Sequence, residues 1–208
     1  MENETIFKQL AIGSIASIIG TICYIIAISV PTTPQFGFLL ITIWPVTAII
    51  FAFSVYQYIA LDRQSISNQL AFLFTIIAFV LVYIMMSVQV GLKTGIGDAI
   101  ALANNSEQET LKMILSSTAW VHLGIDLAWD MFLGISLVFL SLAIKRHPRF
   151  GIWWTIPMVF LGLSVMLINL YTFPYTPVQK GLFDIGPVIG TFMIMFAARM
   201  AHLGFKRK

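Results

Sequence analysis

Charge is scarce in this sequence. Of its 208 residues only 10% are Asp, Glu, Lys or Arg, against about a quarter in a soluble domain, and so few cannot coat a water-exposed surface. Cysteine is almost missing as well. The single Cys23 excludes an internal disulfide and a thiolate metal cluster, and its place inside an apolar run reads as a buried, inert thiol. There is no P-loop, no dinucleotide-binding glycine signature and no HExxH zinc motif, nor a GxSxG nucleophile turn. Polar-apolar alternation is also lacking. Runs such as 41–50 and 72–86 stay apolar where the strands of a membrane β-barrel would alternate.

What is present is a 59% hydrophobic chain of mean hydropathy +0.91, with its apolar residues in long blocks. That pattern names lipid as the solvent. Because lipid cannot satisfy backbone groups and a barrel is excluded, the blocks must be helices. Spans are expected at about 10–30, 36–60, 69–91, 119–144, 152–171 and 182–202, each near the ~20 residues a bilayer requires. The fold class is therefore all-α, an integral membrane six-helix bundle forming one polytopic domain over 1–208. The opening MENETIFK is more acidic than basic, unlike the basic start of a secretory signal, so the first block is kept as a helix.

The basic residues fix an expected orientation. Lys8, Arg63, Lys145, Arg146, Arg149, Arg199, Lys206, Arg207 and Lys208 fall on one side, nine in all, and Lys93, Lys112 and Lys180 on the other, three in all. The excess places both termini in the cytoplasm of a multi-pass protein of the cell membrane. The net charge of +3 is thus an orientation signal, and no basic surface stands free of the spans to bind nucleic acid.

Most connections are short and punctuated by Pro31, Pro34, Pro148, Pro174 and Pro177. The exception, 92–118, mixes Gly95, Gly97, Asn104 and Asn105 with apolar Ile96, Ile100, Leu111, Ile114 and Leu115. It reads as an outer interfacial connector of one or two short helices. PQFG at 34–37 and PRFG at 148–151 each precede Trp and Pro. A shift of 114 positions (148 minus 34) superimposes spans one to three on four to six, and three helices per half would make an inverted repeat, as in many transporters; chance and shared helix-start chemistry are the competing explanations.

The fourth span carries the most informative segment, WVHLGIDLAWDM at 120–131. His122, Asp126 and Asp130 recur every four residues, drifting only ~40° per step, so they share one helix face. Counting back about 20 residues from Ile144 puts Asp126 at the outer boundary and Asp130 some 8 Å deeper. An ionised Asp within the bilayer costs several kcal/mol unless it meets a partner or water. Two readings stand: shallow carboxylates bonded to neighbouring helices or wetted from outside, or groups serving proton transfer, cation binding or substrate binding.

Other polar residues are expected at the same depth. Gln89 ends the third span, Asn169 and Tyr171 the fifth, and Asp184 opens the sixth, which together outline an outward-facing polar cavity. Gln89 and Asn169 also fit interfacial or backbone-bonding roles, and Asp184 a helix cap. No cofactor is expected. A divalent cation would use His122, Asp126 and Asp130, with Asp184 as a further ligand. The ten methionines are scattered as core residues are, unlike a copper path.

From KRHPRFG onward, a helix ending in basic residues, a turn bearing Pro148, Arg149 and Gly151, and two further apolar helices resemble a family of small bacterial membrane proteins known only as a domain of unknown function. The resemblance covers the last three spans. It implies a compact helical membrane bundle and supplies no catalytic residue. The residues themselves favour transport or binding of a small cation, proton or polar solute, with Asp130 as deep acceptor, Asp126 as relay and His122 at the mouth. Two alternatives stay open. One is a hydrolase or isomerase acting on a lipid-like substrate, although the absent motifs lean away from an enzyme. The other is a non-catalytic partner or sensor subunit. Expected partners are the bilayer, a small cation or polar solute, and further subunits, either copies of this chain or another protein.

Overall fold

The structure, a computed structural model, describes residues 2–206, the side chain of Glu2 excepted; Arg207 and Lys208, counted above, lie outside the described residues. Among the described residues it is all-helical. The elements are α1 (Glu2–Ser29), α2 (Pro34–Asp62), α3 (Ile66–Leu102), α4 (Asn105–Ile144), α5 (Ile152–Thr172), a single 3-10 turn (Val178–Lys180) and α6 (Gly186–Phe205). All six helices are long and apolar enough to cross a membrane, and this is a multi-pass integral membrane protein.

The helix starts follow local chemistry. Thr33 caps α2, accepting from the Phe36 N–H, with Pro34 in the first turn; Ser65 caps α3 through the Asn68 N–H. Asn104 and Glu107 form a reciprocal capping box at the start of α4. These starts separate the two similar tetrapeptides. Pro34 opens α2, whereas Pro148 lies in the turn before α5, which starts only at Ile152. The PQFG and PRFG segments therefore occupy different local structures.

Neighbours along the chain pack side by side from α1 to α5, and α6 returns against α1. The α1–α6 pair is antiparallel, since Gly204 sits against Phe7 and Ala11. Both described ends, with the α2–α3 and α4–α5 turns, thus share what is termed here the terminal end. The α1–α2, α3–α4 and α5–α6 connections form the distal end. Large apolar side chains face outward, among them Ile12 and Ile19 on α1 and Ile156, Phe160 and Leu167 on α5. Lipid, which rewards no withdrawal of apolar surface, is the solvent that tolerates this.

With no hydrophobic drive between helices, association depends on close packing, and small residues mark the contacts. One brings the backbones of α4 and α5 together. A Cβ on Gly134 would lie 2.6 Å from the Gly162 carbonyl oxygen, and one on Gly162 2.7 Å from that of Gly134. The same logic joins α1 to α2, where Gly13 faces Ser54 and Gly20 faces Thr47. A hydroxyl cluster ties α3 to α4: Ser136 donates to the Ala71 carbonyl at 3.0 Å, and Thr75 bonds both that carbonyl and Ser136.

The connector at 92–118 differs from expectation. Instead of one or two separate interfacial helices, α3 continues unbroken to Leu102 and α4 begins at Asn105, separated by a turn at 103–104. Helix propagation explains the difference: once a span is formed, each added residue gains a backbone bond without a new nucleus, and the capping box at Asn104 starts the return helix. Gly91, Gly95 and Gly97 have open space where a Cβ would go, so none of them marks a close packing contact.

At the terminal end, His147 is 6% exposed, and its Nδ1 accepts the Arg149 N–H at 3.2 Å. Burial holds its pKa below the ordinary 6.5, Asp62 acting to raise it and Arg149 to lower it further. The folded protein thus prefers the neutral ring. As pH falls through about 6.5 the unfolded chain takes up the proton first, and stability is lost progressively toward the depressed native value. The expected result is a thermal midpoint that falls below pH about 6.5 more steeply in the wild type than in His147→Gln; parallel pH profiles would refute it. Gly134→Ala should cost ~1–3 kcal/mol by overpacking and lower the midpoint in detergent. Gly124→Ala, with nothing within 4 Å of the new Cβ, is the control and should leave the midpoint unchanged or higher.

Candidate functional site

The face of α4 read from the sequence points into the distal half of the bundle. Asp130 is buried, 7% exposed, and lies 14 residues from the end of α4 at Ile144, or ~21 Å along the axis. Asp126, one turn nearer the distal end, is half-buried, and so is His122 beyond it. Among the described residues no Lys or Arg pairs with either carboxylate, the ion pair formed being Lys8–Glu4 on α1. Among the described residues neither Asp126 nor Asp130 has a hydrogen-bond partner on a neighbouring helix, and Asp126 lines a cleft open to the surface. His122 lies within electrostatic reach of Asp126, but short of an ion pair.

Asp184 joins this group from the α5–α6 connection and acts electrostatically on both Asp126 and Asp130. It is exposed, and its Oδ1 accepts the Gly186 N–H at 2.9 Å. Asp184 thus serves the start of α6 one residue ahead of the N-cap position, Ile185, while its charge bears on the site. Asn169 donates through Nδ2 to the Val165 carbonyl at 3.0 Å, the backbone bond anticipated for it, and also borders a small cleft. That cleft, about 20 Å³, is lined by Leu123, Asp126 and Leu127 of α4, Asn169, and the Phe173–Pro177 stretch. Gln89 lies on α3, one turn beyond buried Met85 and Met86 and on the same inward stripe, with no side-chain hydrogen bond. Tyr171 is 81% exposed and stands apart.

Several contributors are aromatic residues that the sequence reading did not single out. Tyr24 of α1 lies within electrostatic reach of Asp126 and Asp184. Its ring stacks on Trp44 of α2 at 4.4 Å, and Trp44 meets Trp129 of α4 edge-on at 6.2 Å. The Trp129 Nε1 and His122 Nδ1 atoms are buried without hydrogen-bond partners. At the mouth, the Lys180 ammonium sits 4.2 Å above the Tyr175 ring, and that ring contacts Trp120. The signal available for Tyr24 and Trp129 was an aromatic with a polar handle placed inside a span, away from the interfacial belt where such residues gather.

The described residues hold no group of three His, Cys, Asp or Glu side chains able to hold a metal ion; His122, Asp126 and Asp130 are strung along α4 and do not converge on one point. Toward the terminal end Leu137, Phe196, Met158 and Met200 are each no more than 1% exposed and belong to one cluster, an apolar plug between Asp130 and the terminal end; the buried polar side chains of that half include Ser54, Asn68, Ser141 and His147. What the arrangement offers chemically is three carboxyl groups, Asp126, Asp130 and Asp184, within electrostatic reach of one another, with His122 near Asp126 and, among the described residues, no Lys or Arg paired with Asp126 or Asp130. Comparison of the chain with protein families, curated proteins and solved structures finds no match.

Proposed function

We propose that this protein binds a small cation at Asp126 and Asp130 and transports it across the membrane, with the distal end facing outward. The observation that carries the reading is Asp130: a carboxyl 7% exposed, next to two further carboxylates and with no basic partner. A charge so placed costs about 3 kcal/mol on insertion scales, and a positive ligand is what offsets it. Among the described residues, seven basic side chains belong to the terminal end (Lys8, Arg63, Lys145, Arg146, Arg149, Arg199 and Lys206) against three on the distal side, which supports the orientation.

In this reading the cation enters through the cleft beside Asn169 and Tyr175, meets Asp126, and is retained at Asp130. The plug of Leu137, Phe196, Met158 and Met200 bars passage on the terminal side, and the cleft at Asp126 is the point of entry on the distal side. Release to the other side requires that packing to part, as alternating access demands. Lys180 adds positive charge at the mouth and slows cation arrival.

The test is flux in proteoliposomes across a panel of inorganic and organic cations. Wild-type protein is expected to move at least one of them, and Asp130→Asn to reduce that flux to background with helicity and elution volume preserved. Undiminished flux in Asp130→Asn would overturn the proposal. Lys180→Gln is expected to raise the initial rate severalfold at low ionic strength and to converge on wild type at high salt, where the mouth charge is screened.

A further inference from the structure

The nature of the cation follows from the space around Asp130 and from the polar atoms left without partners; the inference rests on the cation reading above. The cleft of about 20 Å³ reaches Asp126 but is not lined by Asp130. That volume holds about one water molecule. An ion entering the cleft stops at Asp126, whereas a proton needs no passage of its own, because it moves by exchange between a water and the next oxygen. The polar atoms along α4 outline such a route. His122 Nδ1 and Trp129 Nε1 are buried and unpartnered, Asp130 is a buried residue, 7% exposed, whose carboxyl has no partner among the described residues, and all lie within eight residues of one helix, or ~12 Å. Buried polar atoms of this kind are ordinarily satisfied by ordered water.

The neighbouring aromatics do not form a receptor for a larger organic cation. Such a ligand needs open ring faces. Here one face of Tyr24 is covered by Trp44, and Trp44 packs perpendicular to both Phe79 and Trp129.

We propose that the bound cation is the proton, passed from the cleft through Asp126 and bridging water to the Asp130 carboxylate. In the last step an O–H bond of a protonated water breaks and an O–H bond forms on Asp130, leaving neutral water and a neutral carboxylic acid. The ionisable groups facing this acid are His122 and Asp126 on α4, Tyr24 on α1 and Asp184 ahead of α6, with Tyr175 and Lys180 at the mouth. The nearby polar or aromatic contributions of α2, α3 and α5, Trp44, Gln89 and Asn169, carry no ionisable group.

Infrared difference spectroscopy on the full-length protein in lipid nanodiscs, titrated with acid and base, tests this without reference to flux. The wild type is expected to show a carboxylic C=O band that titrates with pH, shifts in D2O and is unaffected at fixed pH by Na⁺, K⁺ or methylammonium. The band should vanish in Asp130→Asn and persist at a displaced frequency in Asp130→Glu, which also guards against misfolding of the first variant. Displacement of the band by one of those cations at fixed pH would overturn the proton assignment while leaving a cation site standing. Absence of any titrating band in the wild type would overturn it too. Loss of flux with the band intact would strike the transport reading alone.

Discussion

Every feature of this molecule depends on one constraint: hydrocarbon offers a backbone amide nothing to bond to. The six long helices answer it by closing their hydrogen bonds internally, and the same solvent removes any hydrophobic reward for helix association. The bundle is consequently held by close approach, with Gly134 against Gly162 and Gly204 against Ala11, and by hydroxyls such as Ser136 that bond across a helix boundary. Small residues at the crossings are not ornamental. They set the distances at which everything else meets.

Within that frame the two halves of the bundle have opposite character. The terminal half is packed with Leu137, Ile144, Met158, Phe196 and Met200, all essentially without exposure. The distal half holds Asp126, Asp130, Trp129 and Tyr24, and part of its polar inventory is unbonded. Natural cores leave few buried polar groups unsatisfied; among the described residues two of the three such atoms, His122 Nδ1 and Trp129 Nε1, lie on one stretch of α4, the third being Gln57 Oε1 on α2. The Gly134–Gly162 crossing lies one helical turn from Asp130, at the boundary between the two.

Much of this was legible in the amino-acid sequence, for identifiable reasons. Unbroken apolar blocks specify helices because the bilayer permits little else, and the four-residue recurrence of His122, Asp126 and Asp130 specifies a shared face because the helical period is 3.6. Asp184 could be foreseen at the same depth from the position of its span. Tyr24 carried only the signal of a polar-tipped aromatic inside a span; that it comes near the carboxylates with Trp44 stacked on it is set by how α1 and α2 rotate against α4, a tertiary property with no local signature. The course of 92–118 was likewise misread as interfacial helices, since Gly95 and Gly97 weaken a helix by propensity while saying nothing of the two spans that extend through it. Asn169 shows the ambiguity from the other side. Its bond to the Val165 carbonyl and its place beside Asp126 are both real, and sequence alone presents them as rivals.

The continuity of α4 carries a mechanical corollary. The helix that bears Asp126 and Asp130 runs without interruption from Asn105 to Ile144, so its projecting tip and its buried carboxyls belong to one stiff rod. The tip lies 25 residues from Asp130, ~38 Å away, and a tilt of about 10° about that point sweeps it through ~7 Å. Rod geometry works in both directions: slight reorientation deep in the bundle becomes a large excursion at the surface, and whatever grips the tip gains leverage over the buried acids.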